Sequence, residues 1–106
     1  MAARAYVVDI AGGTATATVQ MQGSQTLKQF LCSWLNAAAG KIELSLSSTP
    51  QIGTAQPDNN VLARVSVSAG GNQAVADVPI SVPVKAFQSI YIHCTGAGNL
   101  GTAILR

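Results

Sequence analysis

The sequence predicts an all-β protein, a single antiparallel domain built as a sandwich or a barrel. Apolar and polar residues alternate with a period of two over several short stretches, which is typical of strands with one buried face. Clusters rich in Gly, Asn and Ser separate these stretches at short intervals. A chain of 106 residues has the length of one domain, so residues 1–106 are expected to share one core.

Seven stretches are predicted as strands, in chain order: Tyr6–Ile10, Thr14–Met21, Lys41–Ser48, Val61–Ser68, Val78–Val84, Ser89–Thr95 and Thr102–Leu105. Their apolar faces include Ala15, Ala17, Val19 and Met21; Ile42, Leu44 and Leu46; Val61, Ala63, Val65 and Val67; Val78, Ile80, Val82 and Val84; and Ile90, Ile92 and Cys94. Pro79 and Pro83 lie on the polar face of the fifth stretch. Because proline cannot donate to a strand ladder, that strand is predicted at a sheet edge or at a bend between sheets.

The stretch Thr26–Leu35 fits two patterns. Its apolar residues match a helical stripe, and they also fit a strand that is apolar on both faces. In the strand interpretation Phe30, Cys32 and Trp34 share one face, and Leu27, Leu31 and Leu35 share the other. We predict an eighth strand because the rest of the chain reads as β-structure. A helix that ends near Gly40 is the alternative.

The segment Gly96–Gly101 matches the glycine spacing of a dinucleotide-binding turn, G-x-G-x-x-G. That site needs a following helix whose N-terminus holds the pyrophosphate and an acidic residue about 20 positions later. Only Thr102–Arg106 follow here, and none of them is acidic. We therefore interpret Gly96–Gly101 as a turn between strands, with no cofactor. The longest irregular segment is Thr49–Asn60.

Charged residues make up only 9% of the sequence, against roughly 25% in a typical soluble domain. A surface with so few charges suits a subunit that packs against other subunits. The net charge is +2, and the six basic residues are scattered singly, so nucleic-acid binding is not expected. No apolar stretch approaches 18 residues, and the first residues lack the apolar core of a signal peptide. We expect neither a membrane span nor a signal peptide.

No catalytic, cofactor or metal site is predicted. His93 is the single histidine, and we expect it to lie in a strand, on a polar face. The four acidic residues show no metal-binding spacing. Cys32 and Cys94 are predicted as two free thiols, with one disulfide as the alternative. Trp34 is expected in the core, although an exposed indole could stack on a sugar.

Two segments carry a resemblance to a known class of proteins: residues 47–67, SSTPQIGTAQPDNNVLARVSV, and residues 84–106, VKAFQSIYIHCTGAGNLGTAILR. Together with an uncharged composition rich in Thr, Ala, Ser and Gly, these segments resemble small bacteriophage virion proteins, namely the jelly-roll-like capsid decoration (cement) and spike-base subunits. The resemblance implies a jelly-roll β-sandwich without enzymatic activity. It also implies a homo-oligomer, with a trimer favoured, that is made in the host cytoplasm and binds the major capsid protein in the virion. A small carbohydrate- or surface-recognition module, lectin-like or fibre-associated, is the alternative function.

Overall fold

The computed structural model describes residues 4–10, 16–35, 40–52, 56, 58–67, 73–95 and 100–106. Within these residues the chain forms eight strands and no helix. The strands are β1 (Tyr6–Ile10), β2 (Thr16–Gln20), β3 (Gln25–Leu35), β4 (Gly40–Ser45), β5 (Val61–Val67), β6 (Gln73–Val84), β7 (Ser89–Cys94) and β8 (Leu100–Leu105).

The strands form two antiparallel sheets of four. Sheet A has the order β1-β8-β3-β6, and sheet B has the order β2-β7-β4-β5. Strand β1 therefore pairs with β8, β2 with β7, β3 with β6, and β4 with β5. This nested pairing is a long hairpin rolled into two sheets, the topology of a jelly roll. The predicted fold, an antiparallel jelly-roll sandwich of about eight strands, is confirmed.

The core lies between the inner faces of the two sheets, and its alternation follows the sequence pattern. The buried apolar residues are Tyr6, Val19, Met21, Leu27, Phe30, Cys32, Ile42, Leu44, Ala63, Val84, Ile90, Ile92, Ala103 and Leu105. Half-buried residues that include Val65, Val78 and Val82 pack against this cluster. Complete burial of a side chain of this size contributes about 1.5–3 kcal/mol.

The ambiguous stretch Thr26–Leu35 is a strand, as predicted, and it lies inside sheet A between β8 and β6. The predicted faces are wrong at Leu27, which is fully buried on the same side as Phe30. The cause is a β-bulge at Lys28, where the register to β6 shifts between Leu27 and Gln29. Both Lys28 N–H and Gln29 N–H donate to the Arg106 carbonyl, each at 2.8 Å. One extra residue exchanges the two faces of a strand.

Within the described residues, three strand boundaries differ from the prediction by two residues or more, and four others differ by one residue. Strand β4 ends at Ser45 and not at Ser48, because the register to β5 shifts there and the chain leaves the sheet. Strand β6 begins at Gln73 and not at Val78, since it follows β3 to the end of that long strand. Strand β8 begins at Leu100, inside the predicted glycine turn. Thr14, Ala15, Ser68 and residues 96–99 lie outside the described residues.

Strand β6 is an edge strand of sheet A, so the prediction drawn from its prolines is confirmed. Pro79 and Pro83 are both exposed on the outer face. An edge strand has hydrogen-bonding groups without a partner strand on one side, and proline there blocks pairing with another sheet.

Candidate functional site

The outer face of sheet A carries apolar side chains on three adjacent strands. Val7 of β1 lies opposite Ile104 of β8, and Ile104 lies opposite Leu31 of β3. Val7 is 67% exposed, whereas Leu31 and Ile104 are half-buried. We call these three residues the sheet A strip. Its members project away from the core, because their neighbours Tyr6, Phe30 and Leu105 fill the inner face.

Polar side chains that are already hydrogen-bonded to one another border the sheet A strip. On one side the Thr102 hydroxyl donates to Asp9 Oδ1 at 3.2 Å. On the other side Gln29 Nε2 donates to Asp77 Oδ1 at 2.9 Å, and Arg106 Nε donates to Gln29 Oε1. An apolar centre with a polar rim is the usual anatomy of a protein–protein interface. Because the rim residues already hold each other in place, binding would cost them little side-chain entropy.

The outer face of sheet B carries a row of polar residues across its four strands. Thr16 of β2 pairs with His93 of β7, His93 pairs with Glu43 of β4, and Glu43 pairs with Arg64 of β5. We call these four residues the polar row. The β4–β5 connection comprises residues 46–60, and its residues 46–52 fold back over the polar row. His93 is 1% exposed and Glu43 is 0% exposed, although both lie on the side of the sheet away from the core.

His93 is hydrogen-bonded through both ring nitrogens. Its Nε2 lies 2.9 Å from the Ser47 carbonyl, which can only accept, so Nε2 carries a proton and donates. Its Nδ1 lies 3.0 Å from the Thr16 hydroxyl, which donates to it when the imidazole is neutral. The ring also lies parallel to Tyr91, with centroids 6.1 Å apart. His93 thus ties strand β2 to the β4–β5 connection.

Glu43 and Arg64 hold the same connection at Gln51. The Gln51 N–H donates to Glu43 Oε1 at 3.1 Å, and Arg64 Nη2 donates to the Gln51 carbonyl. Glu43 Oε2 accepts no hydrogen bond from a described residue and lies 3.6 Å from Arg64 Nε. Hydrogen bonds from the Gln51 side chain and the Asn60 backbone lower the pKa of Asp58, further along the connection. The polar row therefore holds the β4–β5 connection against the outer face of sheet B.

The prediction that His93 is a strand residue on a polar face is confirmed, and the β4–β5 connection buries it there. The Thr16 hydroxyl, the His93 ring and the Ser47 carbonyl have the order of a nucleophile, a base and an orienting group. Catalysis also needs donors for an oxyanion and access for a substrate. Here the connection encloses the imidazole, so the arrangement suits structural fixation better than acyl transfer.

The two cysteines are free thiols, as predicted. They lie in opposite sheets. Cys32 is buried in the core, and Cys94 is half-buried and packs against it. Burial raises the pKa of Cys32 to about 12, with a smaller contribution from the charge of Cys94, and burial also raises the pKa of Cys94. Thiols of this kind are poor nucleophiles and metal ligands. The side chain of Trp34, predicted in the core, lies outside the described part of the structure.

Within the described ranges no three His, Cys, Asp or Glu side chains are grouped as metal ligands would be. The same residues include no helix that could cross a bilayer. Comparisons of the chain with protein-family models, with curated proteins and with solved structures give no match.

Proposed function

We propose that the chain is a non-catalytic virion structural protein, a capsid decoration subunit that assembles as a homotrimer on the lattice of the major capsid protein. The observation that carries the proposal is the sheet A strip, an apolar strip with a hydrogen-bonded rim on a jelly roll whose other outer face is partly covered by its own chain. Jelly rolls of this topology recur in viral capsid domains.

The scarcity of charge supports the same function. Ten charged residues in 106 leave a surface of Ser, Thr, Gln and Ala, which repels neighbouring copies weakly. Association through the sheet A strip would cover its most exposed member, Val7. A lattice offers many equivalent positions, so several weak contacts made by one oligomer add up to tight binding.

Quantitative mass spectrometry and electron cryomicroscopy of purified virions test the proposal. The expected result is a fixed molar ratio of this chain to the major capsid protein, with density for three copies at each occupied lattice position. A few copies confined to a tail or fibre, together with binding to a glycan, would support the carbohydrate-recognition alternative. Absence of the chain from purified virions would contradict both.

A further inference from the structure

Phe87 lies at the tip of the turn between β6 and β7 and is unfavourable there in two respects. Its side chain is 72% exposed, so most of the ring remains in water. Its backbone φ is 66°, in the left-handed region, and no other non-glycine residue in the described ranges has a positive φ. A bulky side chain is rarely found in this conformation.

The turn itself does not require phenylalanine. Gln88 N–H donates to the Lys85 carbonyl at 3.2 Å, so Lys85–Gln88 form a β-turn in which Phe87 is the third residue. A positive φ at the third residue is the mark of a type II turn, where Gly or Asn is favoured. Glycine would adopt the same backbone without the left-handed strain. The geometry of the turn therefore gives no reason for a phenylalanine at this position.

Hydrogen bonds hold the turn in place on both sides. Phe87 N–H donates to the Met21 carbonyl at 2.8 Å, and Met21 N–H donates to the Gln88 carbonyl at 2.8 Å. Ala86 N–H donates to Ser24 Oγ at 3.3 Å. An apolar ring on a backbone fixed in this way loses little conformational freedom on binding, as in the aromatic anchors of protein interfaces.

Basic residues are concentrated in the half of sheet A nearest this turn. Lys85 lies within the turn, and Arg4 is hydrogen-bonded through its backbone to Gln25, which pairs with Val84. Lys28 and Arg106 meet at the bulge of β3. These are four of the six basic residues of the sequence.

Acidic residues lie elsewhere for the most part. Asp9 and Asp77 pair with residues further along sheet A, and Glu43 is buried in sheet B. Asp58 belongs to the β4–β5 connection. The surroundings of Phe87 thus complement a partner that carries carboxylates.

We propose that the Lys85–Gln88 turn is the docking element of this chain, and that it inserts Phe87 into an apolar pocket on an acidic protein surface. The inference rests on the proposed function, under which that surface belongs to the capsid shell. A lipid surface fits less well, since elements that lie in a membrane bury a broad apolar face. Phe87 is a single ring beside Gln20, Ser24 and Gln88.

The test is a sedimentation assay with shells assembled from the major capsid protein alone. Four variants are compared with the unaltered chain: Phe87→Gly, Phe87→Trp, Lys85→Glu and the matched charge reversal Lys41→Glu. Lys41 is exposed and lies beside Thr95, at the opposite end of β7 from the turn. We expect F87G to weaken binding by roughly tenfold or more, F87W to retain most of it, and K85E to weaken it more than K41E does.

Thermal unfolding of the same proteins separates binding from folding. We expect F87G to unfold at the same or a higher temperature than the unaltered chain, because it relieves the left-handed strain. If the unaltered chain and F87G bind the shells with equal affinity, the docking inference alone is overturned. No shell binding at all would overturn the proposed function and the inference with it. Phe87-dependent binding to phosphatidylserine vesicles, without binding to shells, would likewise overturn both.

Discussion

Burial in the core changes the chemistry of one residue, Cys32. Its pKa is raised to about 12, first by the loss of solvation and second by the charge of Cys94 in the facing sheet. The ordinary pKa of a thiol is 9.0, and below that pH Cys32 is protonated in both the folded and the unfolded chain. At higher pH the unfolded chain loses this proton before the folded chain does.

We therefore expect the free energy of unfolding to fall between pH 9 and pH 12, by about 1.4 kcal/mol per pH unit from Cys32. The free energy of unfolding falls because the unfolded state binds fewer protons than the folded state in this range. Urea denaturation across the range, compared between the unaltered chain and Cys32→Ala, measures the effect. The two proteins differ at this one residue, so the difference between their slopes of unfolding free energy against pH isolates the thiol. Equal slopes would show that Cys32 is not shielded from solvent.

At the scale of elements, the β4–β5 connection depends on a buried carboxylate. Glu43 is 0% exposed and lies between Arg64 and the Gln51 backbone. Removing the guanidinium would leave Glu43 without its charge partner in a site closed to water. A buried charge that loses its partner is strongly destabilising, whereas replacing both partners can be nearly neutral.

Arg64→Ala is expected to lower the free energy of unfolding by about 2–3 kcal/mol, below the full value for a buried pair because Arg64 is partly exposed. The double variant Arg64→Ala with Glu43→Gln is expected to recover part of that loss, since no unpaired charge remains. Chemical denaturation of both single variants and the double variant gives the coupling energy. Lys41→Ala, at an exposed position on the same sheet, serves as the control. If the losses of unfolding free energy in the two single variants simply add in the double variant, Glu43 and Arg64 do not stabilise the connection as a pair.

At the scale of the whole molecule, the sheet A strip is the apolar surface that self-association would cover. Val7, Leu31 and Ile104 lie on three neighbouring strands, and Val7 is mostly exposed. Burial of apolar area, unlike attraction between charges, is not screened by salt. An oligomer held by this strip should therefore persist at high ionic strength.

Light scattering in about 1 M salt is expected to give the mass of a trimer for the unaltered chain. Val7→Asp places a charge in the strip and is expected to shift the protein towards its monomer mass of 10.8 kDa. Thr18→Asp, at an exposed position of sheet B, is the matched control and should leave the trimer intact. A monomer mass for the unaltered chain at tens of micromolar would defeat the prediction. A trimer that V7D leaves unchanged would place its interface elsewhere.

Local pattern was enough to predict the strands and most of their faces. The alternation in Val78–Val84 and Ser89–Thr95 assigns each side chain to the core or to the outside, because successive residues of a strand point to opposite faces. The prolines of β6 predicted its edge position for an equally local reason. Part of the sheet A strip also had a local signal: Tyr6-Val7-Val8 and Ala103-Ile104-Leu105 are continuous apolar runs, which indicate strands apolar on both faces.

Other features depend on residues that are far apart in the sequence. The burial of Glu43 and His93 could not be predicted, because the β4–β5 connection covers them only after β4 and β7 have paired. The bulge that turns Leu27 inward requires the Arg106 carbonyl from the end of the chain. The left-handed backbone of Phe87 is held by Met21 in another strand connection. By itself the sequence determined which face most of the strands turn towards the core, since that depends on neighbours along the chain. Which strands pair, and what covers their outer faces, was decided by the tertiary structure, because those contacts exist only once distant segments meet.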